Sequence, residues 1–204
     1  DLPALPQDNA WSREHDIGDE FCLLYSGTLG MKHRPELLVR LAEHFRDGRQ
    51  GRIVVVSEGL GADYLQEKKR ELSLGNLQIL PFQPFDRLPE VMAAADVLLG
   101  LLEPDAGVFS VPSKVLTYLC ARRPLLLAVP PENLAAKIVE RNEAGLVVPP
   151  DEPEAYVEAA DRLASDAELR QRMGANGRAY AEKEFDVERI TDRFEGVLKD
   201  ACRS

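Results

Sequence analysis

The chain has 204 residues, enough to bury a full core in one domain, and its 45% hydrophobic and 29% charged content is that of an ordinary globular protein. A formal net charge of -10 argues against a non-specific grip on DNA, RNA or an anionic membrane. No apolar stretch is long enough to span a bilayer and no signal peptide is visible, so no transmembrane segment is expected here.

The sequence opens at Asp1 without a methionine and reads as a piece of something longer. Residues 1–20 are Pro-rich, then polar and charged, the composition of a linker or an edge segment. From Phe21 onward, short apolar runs alternate with helical patterns. Strands are expected at Phe21–Ser26, Arg52–Ser57, Leu77–Leu80, Asp96–Leu101, Leu125–Val129 and Gly145–Val148. Helical spacing fills the intervals at Pro35–Arg46, Ala62–Leu72, Leu88–Ala94, Ser113–Ala121 and Asn133–Arg141. The strands are continuous apolar runs and not strict alternations, as burial on both faces by crossover helices requires. The reading is therefore α/β: a doubly wound, six-stranded parallel sheet over residues 21–150. After Pro153 only helical spacing remains, with breaks expected at Gly174, Gly177 and the Phe185–Asp186 junction.

Cys22, Cys120 and Cys202 lie far apart and two of them sit in apolar runs, which points to a reduced, cytoplasmic chain. His15, His33 and His44 have no metal-ligand spacing with one another or with the cysteines, so no metal is expected.

The most informative stretch runs from Phe109 to Pro124, where a Pro-marked helix start lies between two apolar runs. Strand, loop and helix start place free backbone N–H groups at the C-terminal edge of a parallel sheet, which favours an anion, usually phosphate. Ser113 and Lys114 stand at that helix start. A cation there opposes the helix dipole unless an anion arrives as well. In the first βα turn, Gly27 and Gly30, on either side of Thr28 and Leu29, permit close approach of backbone to ligand, and Lys32 is within reach of a phosphate; a tight turn with a solvated lysine fits equally. The third glycine of a dinucleotide fingerprint is missing, which disfavours NAD. Ser57-Glu58-Gly59-Leu60-Gly61 fits an ordinary βα loop. In the Pro81–Phe85 loop, Phe82 is placed to lie against a base and the backbone near Gln83 to read its edge, whereas Phe85 reads as core. Arg122 and Arg123, at a helix end, read as structural. Asn133 opens the next helix at the same sheet edge, as a cap or as a ligand contact.

Together, Tyr25-Ser26-Gly27-Thr28-Leu29-Gly30, Ser57-Glu58-Gly59, the Leu88–Asp96 run, Val111–Pro124 and Asn142–Val148 resemble the C-terminal, donor-binding domain of a GT-B-fold retaining glycosyltransferase of the bacterial polysaccharide-biosynthesis type. That resemblance implies a nucleotide-sugar-binding Rossmann-like domain at 21–185 and a C-terminal crossover helix at 186–204. It also implies an N-terminal acceptor domain, absent here, without which this piece transfers no sugar. It further implies that a UDP-, GDP- or ADP-sugar is the substrate and that no metal is needed. Gly27, Thr28, Lys32, Ser113 and Lys114 would then hold the diphosphate, Phe82, Gln83 and Thr117 the base and ribose, and Asn133 the donor sugar. Two carboxylates typical of such enzymes fall at Phe109 and Thr117, and neither residue is acidic. The family's arginine in the first turn falls at Thr28, leaving Lys32 as the nearest cation. The implied location is cytoplasmic, at the inner membrane surface through the absent part. Half of a GT-B-type sugar-nucleotide epimerase and a non-catalytic nucleotide-sugar-binding module are the alternatives.

Overall fold

A computed structural model describes residues 2–46, 51–106 and 113–201. Six strands, β1 (Phe21–Ser26), β2 (Gly51–Val56), β3 (Leu77–Leu80), β4 (Val97–Leu101), β5 (Leu125–Ala128) and β6 (Gly145–Val148), form one sheet in the order β3-β2-β1-β4-β5-β6. Every neighbouring pair is parallel. The order reverses at β1, so β1 and β4 diverge toward opposite edges and open a crevice beyond their C-terminal ends.

Both faces of the sheet are covered, which is why the strands read as unbroken apolar runs. Cys22 and Leu24 of β1 pack with Val91, Val115, Leu119 and Val139, from α4 (Leu88–Ala93), α5 (Ser113–Cys120) and α6 (Leu134–Arg141). The alternate residues Leu23 and Tyr25 face Leu37, Leu41, Leu65 and Tyr156, from α2 (Glu36–His44), α3 (Leu60–Glu71) and α7 (Pro153–Ser165). Each such side chain, taken fully out of water, contributes about 1.5–3 kcal/mol before entropy is set against it.

The segment ahead of β1 is tied to the rest of the chain. Asn9 and Ser12 form a reciprocal cap on the short helix α1 (Ala10–Glu14), and Trp11 behind it is fully buried. Glu20 binds Arg52 of β2 at 2.7 Å, and the His15 carbonyl accepts from Gln78 of β3.

The C-terminal third is helical, but two of the expected breaks are absent. Helix α8 (Ala167–Glu184) runs through Gly174 and Gly177 without interruption. Those glycines serve close packing on α5 and the turn after it: a Cβ at Gly174 would lie 2.5 Å from the Arg122 carbonyl oxygen. The chain instead turns at Asp166, whose carboxylate caps α8 through the Leu169 amide. The break at Phe185–Asp186 is present, and α9 (Val187–Ala201) follows it. Val187, Ile190, Phe194 and Val197 line one stripe of α9 and stand in solvent, with Phe194 68% exposed. No helix among the described residues is long and apolar enough to cross a membrane.

Candidate functional site

At the end of β1 the chain enters Gly27 at φ 130°, a backbone conformation that side chains rarely tolerate. This turn is pinned from two sides. Tyr25 donates its phenol to the Thr28 carbonyl at 2.6 Å, and Tyr118 of α5 both accepts from the Ser26 amide and donates to the Ser26 carbonyl, each at 2.9 Å. Burial holds both phenols above their ordinary range, so they remain protonated donors.

Lys114, in the first turn of α5, folds back over this turn. Its ammonium donates to the Tyr25 phenol oxygen, lies 3.9 Å from the centre of the Tyr25 ring, and sits where a Cβ on Gly27 would press against it at 3.2 Å. It makes no ion pair with any described residue. Burial drives it down from 10.5 to about 8. A largely buried cation with only a ring face and a phenol for company is electrostatically incomplete, since a neutral oxygen and a π-face offset only part of the lost hydration.

Lys114 opens onto a cavity of about 310 Å³ at the crevice between β1 and β4. Lys114 and Thr117 come from α5, Phe82, Gln83 and Phe85 from the loop after β3, and Ser26 and Gly27 from the first turn, over a floor that includes Val56, Leu88 and Met92. Five of the candidate residues therefore converge: Gly27, Phe82, Gln83, Lys114 and Thr117. Phe82 is 47% exposed and available as a stacking face. Phe85, expected in the core, is 84% exposed on the rim, because prolines on both sides of Phe82 hold the loop away from the sheet. The Gln83 side chain is already engaged: its oxygen accepts from Trp11 Nε1 at 2.9 Å and its nitrogen donates to the Pro81 carbonyl at 3.0 Å. The loop is also tied to β2 through the Glu58 carboxylate, which accepts the Phe82 amide.

The other candidates surround this cavity or lie apart from it. Thr28 is exposed, and its carbonyl holds Tyr25. Ser113 is exposed at the first position of α5. Lys32 reaches the same edge but pairs with Glu103, beyond β4, at 2.9 Å. Asn133 is fully buried and caps α6 through the Ala135 amide at 2.9 Å; it is not in the cavity wall. Phe109 lies outside the described residues. No group of three or more His, Cys, Asp or Glu side chains among the described residues could hold a metal ion.

Sequence reasoning passed over Tyr25, Glu103 and His33 at this edge. The His33 Nδ1 accepts from the Gly30 amide at 3.1 Å. Burial, then Lys114 and Lys32, push His33 below its ordinary range, while Glu103 acts the other way. A neutral imidazole accepting at Nδ1 carries its proton on Nε2. The one signal available beforehand was its position three residues after the second glycine of the turn.

Comparison with known proteins places this geometry. The chain is 24% identical over 189 residues to Alpha-D-kanosaminyltransferase of Streptomyces kanamyceticus, covering 91% of this chain and 47% of that protein. Its structure resembles Anabaena Alr3699/HepE in complex with UDP-glucose, with a TM-score of 0.75, 17% identity, and 93% of this chain matched to 51% of the other. It also resembles WaaG, a glycosyltransferase involved in lipopolysaccharide biosynthesis, with a TM-score of 0.67, 21% identity, and 87% of this chain matched to 47% of the other. The chain thus spans about half the length of these proteins. The six-stranded α/β fold is that of GT-B glycosyltransferases. Residues 7–180 match the family described as Glycosyl transferases group 1, and the chain belongs to that family.

Proposed function

We propose that this chain is the donor-binding domain of a glycosyltransferase that moves a sugar from a nucleotide diphosphate sugar to an acceptor in surface polysaccharide or glycolipid synthesis. The observation that carries the reading is Lys114: a buried ammonium without a carboxylate, at a helix start and over a glycine turn, where the sheet order reverses. A diphosphate arriving there supplies the missing counter-charge and meets the free N–H groups of the first turn of α5. Support also comes from the UDP-glucose complex formed by a protein of the same fold.

In this reading the diphosphate lies among Gly27, Thr28, Ser113 and Lys114, with Lys32 released from Glu103 to join them. Phe82 stacks on the base, the backbone at Gln83 reads its edge, and the Thr117 hydroxyl contacts the ribose. Asn133 shapes the edge through α6 and not by contact. During transfer the bond from the anomeric carbon to the diphosphate oxygen breaks, its electron pair goes to the diphosphate, and an acceptor hydroxyl forms the new bond as its proton passes to the departing diphosphate oxygen. Lys114 and the α5 amides stabilise the leaving charge, the part a metal plays in other transferases. The acceptor and the remaining catalytic groups belong to an N-terminal domain, with α9 crossing back to it, in a cytoplasmic enzyme working at the inner membrane surface. The isolated domain transfers no sugar.

Calorimetric titration with UDP, GDP and ADP tests this. One of them should bind in the micromolar to millimolar range, roughly -4 to -8 kcal/mol. Lys114→Ala should weaken that binding by about 1–3 kcal/mol, the size of a charge-assisted hydrogen bond. Absence of heat with all three would remove the basis of the assignment.

A further inference from the structure

A second cavity, of about 630 Å³, lies at the opposite edge of the sheet, beside the N-terminal ends of β4 and β5. Its walls are the segment Ala4–Gln7, the turn Arg122–Pro124 after α5, and the first turn of α8 with Arg170 and Gln171. Three guanidinium groups meet there, in a protein whose net charge is -10.

Arg123 is fixed by neutral partners, and Arg170 by two carbonyls together with an ion pair to Asp96. Arg123 donates to the Ala93 carbonyl at 2.8 Å and to the Leu5 carbonyl at 3.4 Å. Arg170 donates to the carbonyls of Leu163 and Ala164 at 2.6 and 3.0 Å. Carbonyl oxygens orient a guanidinium but do not neutralise it. The one carboxylate in the wall, Asp96, already accepts from Gln7 at 3.0 Å and from the Cys22 amide at 2.9 Å, and stands 3.7 Å from Arg170. Arg122 is exposed and its side chain pairs with no described residue. Burial, and to a lesser degree the neighbouring Arg122, hold Arg123 below its ordinary range, with Asp96 opposing. Three cations against one engaged carboxylate leave this cavity short of negative charge.

We infer that this cavity is an anion-binding site for a phosphoryl group, distinct from the cleft at the other edge, with Arg122, Arg123, Arg170 and Gln171 as its recognition set. Planar guanidinium forks match the oxygens of a phosphoryl dianion and bind it in pairs. Arg123 and Arg170 are pre-oriented by their carbonyl partners, so little order is lost when the anion arrives. The space exceeds that of a bare phosphate and accommodates a substituent, which makes the ligand a phosphate ester, soluble or carried by a lipid headgroup. The site does not depend on the proposed donor chemistry.

The test is melting temperature and calorimetry with inorganic phosphate at constant ionic strength, on Lys114→Ala and on Arg122→Gly and Gln171→Glu each combined with it. Saturable binding is expected, with a melting temperature that climbs with phosphate concentration. Made in the Lys114→Ala background, which removes the lysine at the other edge, Arg122→Gly and Gln171→Glu should each weaken it by about tenfold or more. Glycine suits the left-handed backbone at Arg122 (φ 58°), so loss of binding there is not loss of fold. Sedimentation with phosphatidylglycerol vesicles separates the two sources: Arg122-dependent vesicle binding assigns a lipid headgroup, and phosphate binding without it assigns a soluble ester. No saturable binding in Lys114→Ala would overturn the site. So would binding retained in both cavity variants made in that background.

Discussion

Replacing Lys114 with methionine should make the free protein more stable and a poorer binder, and the two effects can be separated by pH. The fall from 10.5 to about 8 corresponds to about 3 kcal/mol held against the charged form. The sign follows from linkage. The folded value lies below the unfolded one, so between pH 8 and 10.5 the unfolded chain binds the extra proton and stability rises with pH. Below about 8 the penalty is complete, and above 10.5 it is gone. Methionine keeps the length and apolar stem of lysine and removes the charge. Tyr25 is not orphaned, because its phenol still donates to the Thr28 carbonyl. The contact with the Tyr25 ring returns about 1 kcal/mol to the wild type, so the net gain near neutral pH should be about 1–2 kcal/mol. Urea unfolding of both proteins from neutral to alkaline pH measures it. Other titrating groups are common to both proteins, so their difference isolates Lys114 and should shrink toward zero as pH rises through the window. A difference that stays flat with pH refutes the buried-ammonium argument. Binding supplies a second reading. A bound diphosphate raises Lys114 again, so wild-type affinity should fall as pH rises through about 8, while Lys114→Arg should show no such fall because its charge persists.

Gly174→Ala should destabilise the domain by about 1–3 kcal/mol in denaturant melts, since the new methyl would meet the Arg122 carbonyl at 2.5 Å and backbone yields less cheaply than a side chain. Removing residues 187–204 should leave the melting midpoint of this domain nearly unchanged, because the apolar stripe of α9 covers nothing here; a large loss would show packing that the structure lacks. Lys32→Ala should alter stability by no more than about 1 kcal/mol, as expected of a largely exposed pair with Glu103. The same substitution should weaken nucleotide diphosphate binding, and unchanged affinity by calorimetry would leave Lys32 a surface residue.

The sheet was legible because doubly covered strands show themselves as apolar runs such as Leu125–Val129, and the structure moves their ends by one residue at most. The cleft was partly legible: glycines, an odd lysine at a helix start and a Pro-stiffened aromatic loop carry local signals, and the strand order brings them together. What stayed hidden depends on long-range contacts. Nothing beside Lys114 in sequence announces Tyr25, 89 residues away, or places Glu103 against Lys32. Asn9 and Ser12 do carry a capping pattern, but the prolines ahead of it made residues 1–20 look like a connection. Gly174 and Gly177 read as helix breakers because glycine lowers helix propensity, whereas close packing on α5 sets their identity. Phe85 shows the reverse: its apolarity suggested the core, and the prolines of its loop keep it outside.

The hydrogen bond between Trp11 and Gln83 has an optical consequence. Trp11 is the single tryptophan of the sequence, fully shielded from water, with its indole nitrogen fastened to the loop that carries Phe82. Its emission therefore belongs to one place in the molecule. A ligand that draws the Phe82 loop inward pulls on the only polar atom of that chromophore, so unlabelled protein carries its own reporter of cleft occupancy.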